Sequence, residues 1–432
     1  MDLVIRGARV LTPLGMKRAD IAVERGTVVR VGEVGEAEGA RVVDGRGKVV
    51  LPGVVDPHVH MELATASGHV SSDDFASGSR AGLLGGVTAL GDFAYPRKGE
   101  RLVRALRARR DAARVRCLAR FFIHVAVSEN PSDLEEQMSE CAEEGTVSFK
   151  VHMNDASVDR ALLDRLCRFC AERECVLMVH AEDGPAIARA QARLAAEGKT
   201  ALAHYPGSRP PECEARAIDL VMSVAARYRA RIYIVHLSSA RGLDAVRRHR
   251  GAGARVFAET CPQYLLLTEE KYSGPDGFCS TCCPPFRGDA DREALWGGLA
   301  DGSIDAVATD HCPFTRAQKG EWGGDFTRLP FGIPGVETLA PLLFGEGRRR
   351  GLTYERLAAL SSANAAGIFG LPPRAGIEEG KSADFFLYDP GAARTIDHAA
   401  LHMRCDFSPY QGMRVAGWPE MTALGGGAWF SG

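Results

Sequence analysis

The stretch GVVDPHVHME, residues 53–62, begins as an apolar run of the kind that forms a buried strand. It then sets two imidazoles, His58 and His60, one residue apart. Side chains alternate across a strand, so both rings point the same way. Two rings side by side fill a core poorly, but they grip a cation well. An HxH pair alone is equally a pair of partly solvated loop histidines, so its meaning depends on what shares its face. Four further residues fall late in apolar runs downstream: Lys150 in TVSFKVHM, His180 in CVLMVHAE, His236 in RIYIVHLS and Asp310 in SIDAVATDH.

Lys150 is the odd member, because an ammonium beside bound cations would be repelled by them. The conflict disappears if the amine has reacted with CO₂. The resulting N6-carboxylated lysine (a carbamate) is an anion whose two oxygens can bridge two metals about 3.5–4 Å apart. Two Zn²⁺ ions would then share His58, His60, Lys150, His180, His236 and Asp310. A water held between them would lose its proton near neutral pH. Asp310, a ligand to one metal, can take the proton as the hydroxide attacks a carbonyl, and then deliver it to the leaving nitrogen. The metals polarise the carbonyl oxygen and stabilise the tetrahedral intermediate. Such a site hydrolyses amides.

The elements that must position these side chains are eight apolar runs, at 54–60, 87–93, 119–127, 146–153, 175–182, 231–238, 254–260 and 303–311. Arg- and Ala-rich stretches with apolar residues at helical spacing lie between them. Strands apolar on both faces and alternating with helices predict a parallel sheet covered on both sides. Eight such units over roughly 250 residues predict an α/β fold, a closed (β/α)₈ TIM barrel, whose parallel strands bring all six side chains to one mouth. The ends of the chain differ. Residues 1–50 hold short alternating strands with Gly turns, and that texture returns after about residue 371 in GIEEGKSADFFLYDP. Residues 1–52 and 372–432 are therefore expected to form one small β-sandwich domain, and residues 53–371 the catalytic barrel.

Composition narrows the function. The 432 residues are 45% hydrophobic and 25% charged with a formal net charge of −2, and no basic run alternates with aromatics, so a nucleic-acid partner is not expected. No apolar stretch approaches the roughly 20 residues that span a bilayer. The start, MDLVIRGARVLT, reads as a strand rather than a signal peptide, so a cytoplasmic location is expected. Several of the 12 cysteines sit inside apolar patterns as small hydrophobes. The CxxC pairs Cys167/Cys170 and Cys279/Cys282 have no matching second pair at zinc-site spacing.

The ordered set GVVDPHVHME, SFKVHM, VHAEDG, IVHLSSA, AETCPQYL and ATDHCPF resembles the amidohydrolase superfamily, in the branch holding D-hydantoinase, dihydropyrimidinase, allantoinase and dihydroorotase. The resemblance runs nearly end to end and includes GKSADFFLYDP. It implies ring opening of a small cyclic amide or ureide, with metal ligands at the six positions already named. It also implies a homo-oligomer, dimer or tetramer. ETCPQYL and PPECEARA look like the hydantoinases, whereas FGIPGVETLAPLL (331–343) looks more like a dihydroorotase loop.

The departures from the family pattern fall on substrate contacts. Dihydroorotases carry an arginine two residues after HxH, where this chain has Glu62, which would repel a carboxylate. Hydantoinases carry an oxyanion-donating tyrosine five residues after the carbamylated lysine, where this chain has Asp155. The serine before Pro-Pro is Cys283, and the asparagine of the last loop is Phe331. His152 lies two residues past Lys150 on the same strand face, and it or Asn154 could stand in as donor. Among the remaining polar residues, His69 reads as a lid residue and His124 as buried structure. Asp92 and Glu182 read as partners of neighbouring ligands or loop amides. Dihydroorotase-like or allantoinase-like activity stays open, as does operation in the cyclisation direction. A non-catalytic scaffold stays open too, although the six filled ligand positions speak against it.

Overall fold

The computed structural model describes residues 1–65 and 68–431; residues 66 and 67, within the expected barrel segment, and residue 432, at the end of the expected β-domain, lie outside them. The chain opens with five strands: β1 (Leu3–Thr12), β2 (Gly15–Glu24), β3 (Thr27–Gly32), β4 (Arg41–Asp44) and β5 (Val49–Pro52). Eight more follow: β6 (Val54–Val59), β7 (Val87–Ala94), β8 (Arg120–Ala126), β9 (Ser148–His152), β10 (Val176–His180), β11 (Arg231–Ile234), β12 (Val256–Thr260) and β13 (Ala306–Val307). Three strands close the chain: β14 (Phe385–Thr395), β15 (Arg414–Leu424) and β16 (Gly427–Phe430).

Strands β6 to β13 pair in sequence order, each parallel to the next. A parallel bridge between Val59 and His311 joins the two ends of that sheet, with His60 N–H donating to the His311 carbonyl at 2.8 Å. The eight apolar runs thus form a TIM barrel. Strands β6, β7 and β10 are buried along their whole length, as strands covered on both faces must be. Amphipathic helices supply the outer cover. The helix Arg160–Glu172 is capped by the Asp159 side chain accepting from Leu162 N–H, and it buries Leu162, Leu163, Leu166 and Phe169 on one face.

The other strands form a second, mostly antiparallel sheet in the order β16-β15-β14-β5-β1-β2-β3, with β4 on β1. Both ends of the chain build it around a separate core that includes Ile5, Val10, Ile21, Phe385, Leu387 and Met421. Arg374 ties this sheet to the barrel. It donates to Thr88 Oγ1 at 2.8 Å and to Asp384 Oδ2 at 3.0 Å, and Asp384 also pairs with Arg120. Removing one partner of a buried pair strands the other charge. Asp384→Ala should therefore cost about 3 kcal/mol in urea unfolding, and a loss below about 1 kcal/mol, the size of an exposed pair, would show that the junction does not depend on it.

One strand differs from expectation. The run at 303–311 is a regular strand only over Ala306–Val307; beyond it Asp56 holds the chain, and His311 bridges back to Val59. Asp56 accepts from Thr309 N–H at 3.1 Å and from Thr309 Oγ1 at 2.5 Å, and Asp310 then turns to φ 53°.

Candidate metal centre

The six candidate ligands gather at the C-terminal mouth of the barrel, the end where such folds carry chemistry. His58 is in β6 and His60 just beyond it; Lys150 is in β9, and His180 is the last residue of β10. His236 and Asp310 lie past the ends of β11 and β13, with φ of 38° and 53°. Non-glycine residues with positive φ are uncommon and cluster at functional sites. Here their neighbours hold them: Glu259 accepts from His236 N–H at 3.0 Å, and Asp56 anchors the residue before Asp310.

Two groups of ligand atoms form. In the first, His58 Nε2 lies 3.3 Å and His60 Nε2 3.0 Å from Asp310 Oδ1, and one ligand atom from each residue lies within 4.8 Å of the others. In the second, His180 Nδ1 lies 2.8 Å from His236 Nε2. The His58 and His236 rings, 5.5 Å apart and stacked, join the two groups. A carboxylate behind each group sets the tautomer. Glu259 Oε1 is 2.8 Å from His58 Nδ1, and Glu182 Oε2 is 2.7 Å from His180 Nε2. With Glu182 accepting from His180 Nε2–H, His180 Nδ1 turns inward to His236 Nε2, while His58 Nε2 faces Asp310 Oδ1.

Electrostatics favour the ligating forms. Burial, with Lys150 nearby, holds the His58 imidazole well below its usual pKa, and burial does the same for His236, so both rings are neutral. Burial resists ionisation of Glu182, yet Arg209 and His180 carry its carboxyl down to about 2. His236 Nδ1 is buried with no hydrogen-bond partner among the described residues. Lys150 is 1% exposed, and burial lowers its amine to about 8. Its Nζ lies 5.2 Å from the centre of the Phe93 ring, which itself packs 5.0 Å from His58 and 4.9 Å from His60. Converging bare nitrogens, one carboxylate and a desolvated amine are a donor set that fits divalent cations.

The expected substrate contacts divide. Glu62 points into an ion pair with Arg116, at 2.5 and 2.7 Å, because the helix Leu102–Arg116 ends beside it. Asp155 is exposed and folds onto its own turn, accepting from Ser157 N–H at 2.9 Å and Oγ at 2.8 Å. Cys283 Sγ sits 3.3 Å from Tyr205 Oη, and burial pushes its thiol up to about 11, so it is no nucleophile at neutral pH. Phe331 stacks on Tyr205 at 5.0 Å and lies 5.9 Å from the Arg209 guanidinium. His152 is half-buried, 5.6 Å from the His180 ring and 6.0 Å from that of Tyr95.

The other polar residues take supporting places. His69 pairs with Glu321 at 3.0 Å, joining the loop after β6 to a distant loop. His124 is fully buried between Ser148 Oγ and the Pro57 carbonyl. Asp92 accepts from Met61 N–H at 2.9 Å, and Arg109 holds its other oxygen at 2.6 Å. Sequence reasoning missed Glu259, Arg209 and Tyr95, whose Oη lies 3.4 Å from His60 Nδ1. A signal existed for Glu259: a carboxylate in the apolar run ARVFAET must be bonded once that run is buried.

Comparison with known proteins follows the same lines. Residues 49–428 match the profile described as the amidohydrolase family. The chain is 33% identical over 428 residues to the D-hydantoinase of Geobacillus stearothermophilus, covering 97% of this chain and 91% of that one. It is 36% identical over 429 residues to the D-phenylhydantoinase of Escherichia coli O9:H4 (strain HS), covering 96% and 92%. The crystal structure of dihydropyrimidinase from Brevibacillus agri NCHU1002 superposes with a TM-score of 0.95 at 33% identity, over 99% of this chain and 95% of that one.

Proposed function

The chain belongs to the amidohydrolase family, and on that premise we propose that it opens the ring of a cyclic amide of the hydantoin or dihydropyrimidine class. One observation carries the reading: two groups of inward-facing imidazole nitrogens meet Asp310 and a buried lysine at a single barrel mouth. Names of similar proteins point to the same substrates, D-hydantoinase and dihydropyrimidinase among them.

His58, His60 and Asp310 would hold one cation, and His180 and His236 a second. Zinc suits this imidazole and carboxylate set. When bound, the two cations supply Lewis acidity to water and to the scissile carbonyl. Lys150 completes the centre as a carbamate: its neutral amine forms an N–C bond to CO₂ and gives one proton to solvent. That carbamate would supply the anionic oxygen ligands that two neighbouring cations need. Asp310 takes the proton of the attacking water, leaving hydroxide as the nucleophile, and returns that proton to the ring nitrogen as the C–N bond breaks. Glu259 and Glu182 keep His58 and His180 in the ligating tautomer throughout. The product is the open-chain N-carbamoyl amino acid, and the reverse direction uses the same groups.

We further propose a homo-oligomer working in the cytoplasm, a reducing compartment that suits its twelve unpaired cysteines. No helix among the described residues is long and apolar enough to cross a membrane. A panel of hydantoins, dihydrouracil, allantoin, dihydroorotate and simple cyclic imides, offered to the zinc-loaded protein, tests the substrate class. Hydantoins or dihydrouracil are expected to be opened fastest. Turnover confined to dihydroorotate or allantoin would move the enzyme to another branch, and none at all would remove the proposal.

A further inference from the structure

We infer that His152 donates the hydrogen bond that steadies the developing oxyanion of the substrate carbonyl. This rests on the reading of the site as a cyclic amide hydrolase. Such a site needs a donor aimed at the oxygen that gains charge. Asp155, where the related enzymes carry a tyrosine, does not face that oxygen: its carboxylate is exposed and occupied by Ser157.

The placement of His152 is set by the strand. β9 ends on it, and Lys150 lies two residues earlier on the same face. Its ring lies 5.6 Å from that of His180 and 6.0 Å from that of Tyr95, at the C-terminal end of β9 and next to the candidate ligands. The other histidines around the mouth all spend ring nitrogens on the protein. His58 bonds Glu259, His60 approaches Asp310, His180 bonds Glu182, and His124 spans Ser148 and Pro57. His236 meets His180 through Nε2, and its other nitrogen, Nδ1, is unpartnered among the described residues but fully buried. No described residue hydrogen-bonds the ring of His152. It is a half-buried imidazole with its donor unclaimed and the candidate ligand His180 beside it.

Tyr95 is the competing donor in this wall: its oxygen, 3.4 Å from His60 Nδ1, can accept that N–H while its own O–H stays free. Tyr95→Phe is therefore measured beside the His152 variants and should keep kcat within about threefold of wild type, a collapse there instead overturning the assignment. Asn154 follows the end of β9, where the chain turns and its backbone packs against Gly184; a Cβ at 184 would come within 2.9 Å of the Asn154 carbonyl. Its side-chain direction is not fixed by the strand.

The experiment compares the zinc-loaded wild type with His152→Phe, His152→Gln and Asn154→Ala. It measures kcat and KM for 5-phenylhydantoin and dihydrouracil, metal content, and binding of the open-chain N-carbamoyl product by calorimetry. Phenylalanine keeps the ring and removes the donor, so H152F should lose kcat on the order of 10²-fold, with KM and metal content nearly unchanged. It should bind the product carboxylate about tenfold more weakly, as loss of one charge-assisted hydrogen bond implies. Glutamine restores a donor and should recover part of both losses, while N154A should stay near wild type. An H152F enzyme within about threefold of wild-type kcat, or a collapse in N154A instead, overturns the assignment. A wild type that opens no cyclic amide overturns the functional reading itself, and this inference with it.

Discussion

A Lys150→Ala protein loses turnover on the order of 10⁴-fold or more and with it most of its bound metal. The reason lies in charge. Four of the proposed ligands are imidazoles, which bind a metal through a lone pair and add no negative charge, and Asp310 is the one carboxylate among the six. In the proposed centre two divalent cations side by side need a further anion, and the carbamate of Lys150, a side chain 1% exposed, is the group assigned to supply it. Alanine leaves a gap lined by Phe93 and the imidazoles, with nothing to offset the second cation. Acetate or propionate, supplied at high concentration, should enter that gap and restore part of the activity. Lys150→Arg is the informative companion: it retains a cation, cannot form the carbamate, and should be as inactive as alanine. Activity in either variant within tenfold of wild type, read as kcat/KM alongside metal content, would remove the carbamate from the account.

The second large effect belongs to Asp310. Its Oδ1 reaches both His58 and His60, yet its side chain stays 13% exposed, which suits the double role proposed for it toward a bound cation and the incoming substrate. Asp310→Asn preserves shape and one oxygen ligand but removes the proton carrier. The expected outcome is a fall in kcat of about 10³-fold, with KM changed by less than about threefold and most metal retained. Parallel loss of metal and rate would make Asp310 a ligand alone.

Much of this was legible in the chain because parallel barrel strands are apolar on both faces, so a histidine or lysine near the end of one stands out. All eight runs became consecutive strands, and His58, His60, Lys150, His180, His236 and Asp310 met at one end. What could not be read was whatever depends on partners from distant segments. Asp310 owes its position to Asp56, 254 residues earlier in the chain by number, through Thr309. Glu62 turns away because Arg116 arrives beside it, and Asp155 because Ser157 offers it two donors. Glu259 and Glu182 act on His58 and His180 from behind, and no spacing rule announces a carboxylate of that kind.

The most direct test of the metal centre is a crystal structure with anomalous diffraction data on either side of the zinc absorption edge. The account predicts two peaks per chain at the barrel mouth, one against His58, His60 and Asp310 and one against His180 and His236, with added density on Lys150 Nζ reaching both. An empty mouth with an unmodified amine at position 150 and the imidazoles turned apart, in protein that still opens its substrate, would contradict it.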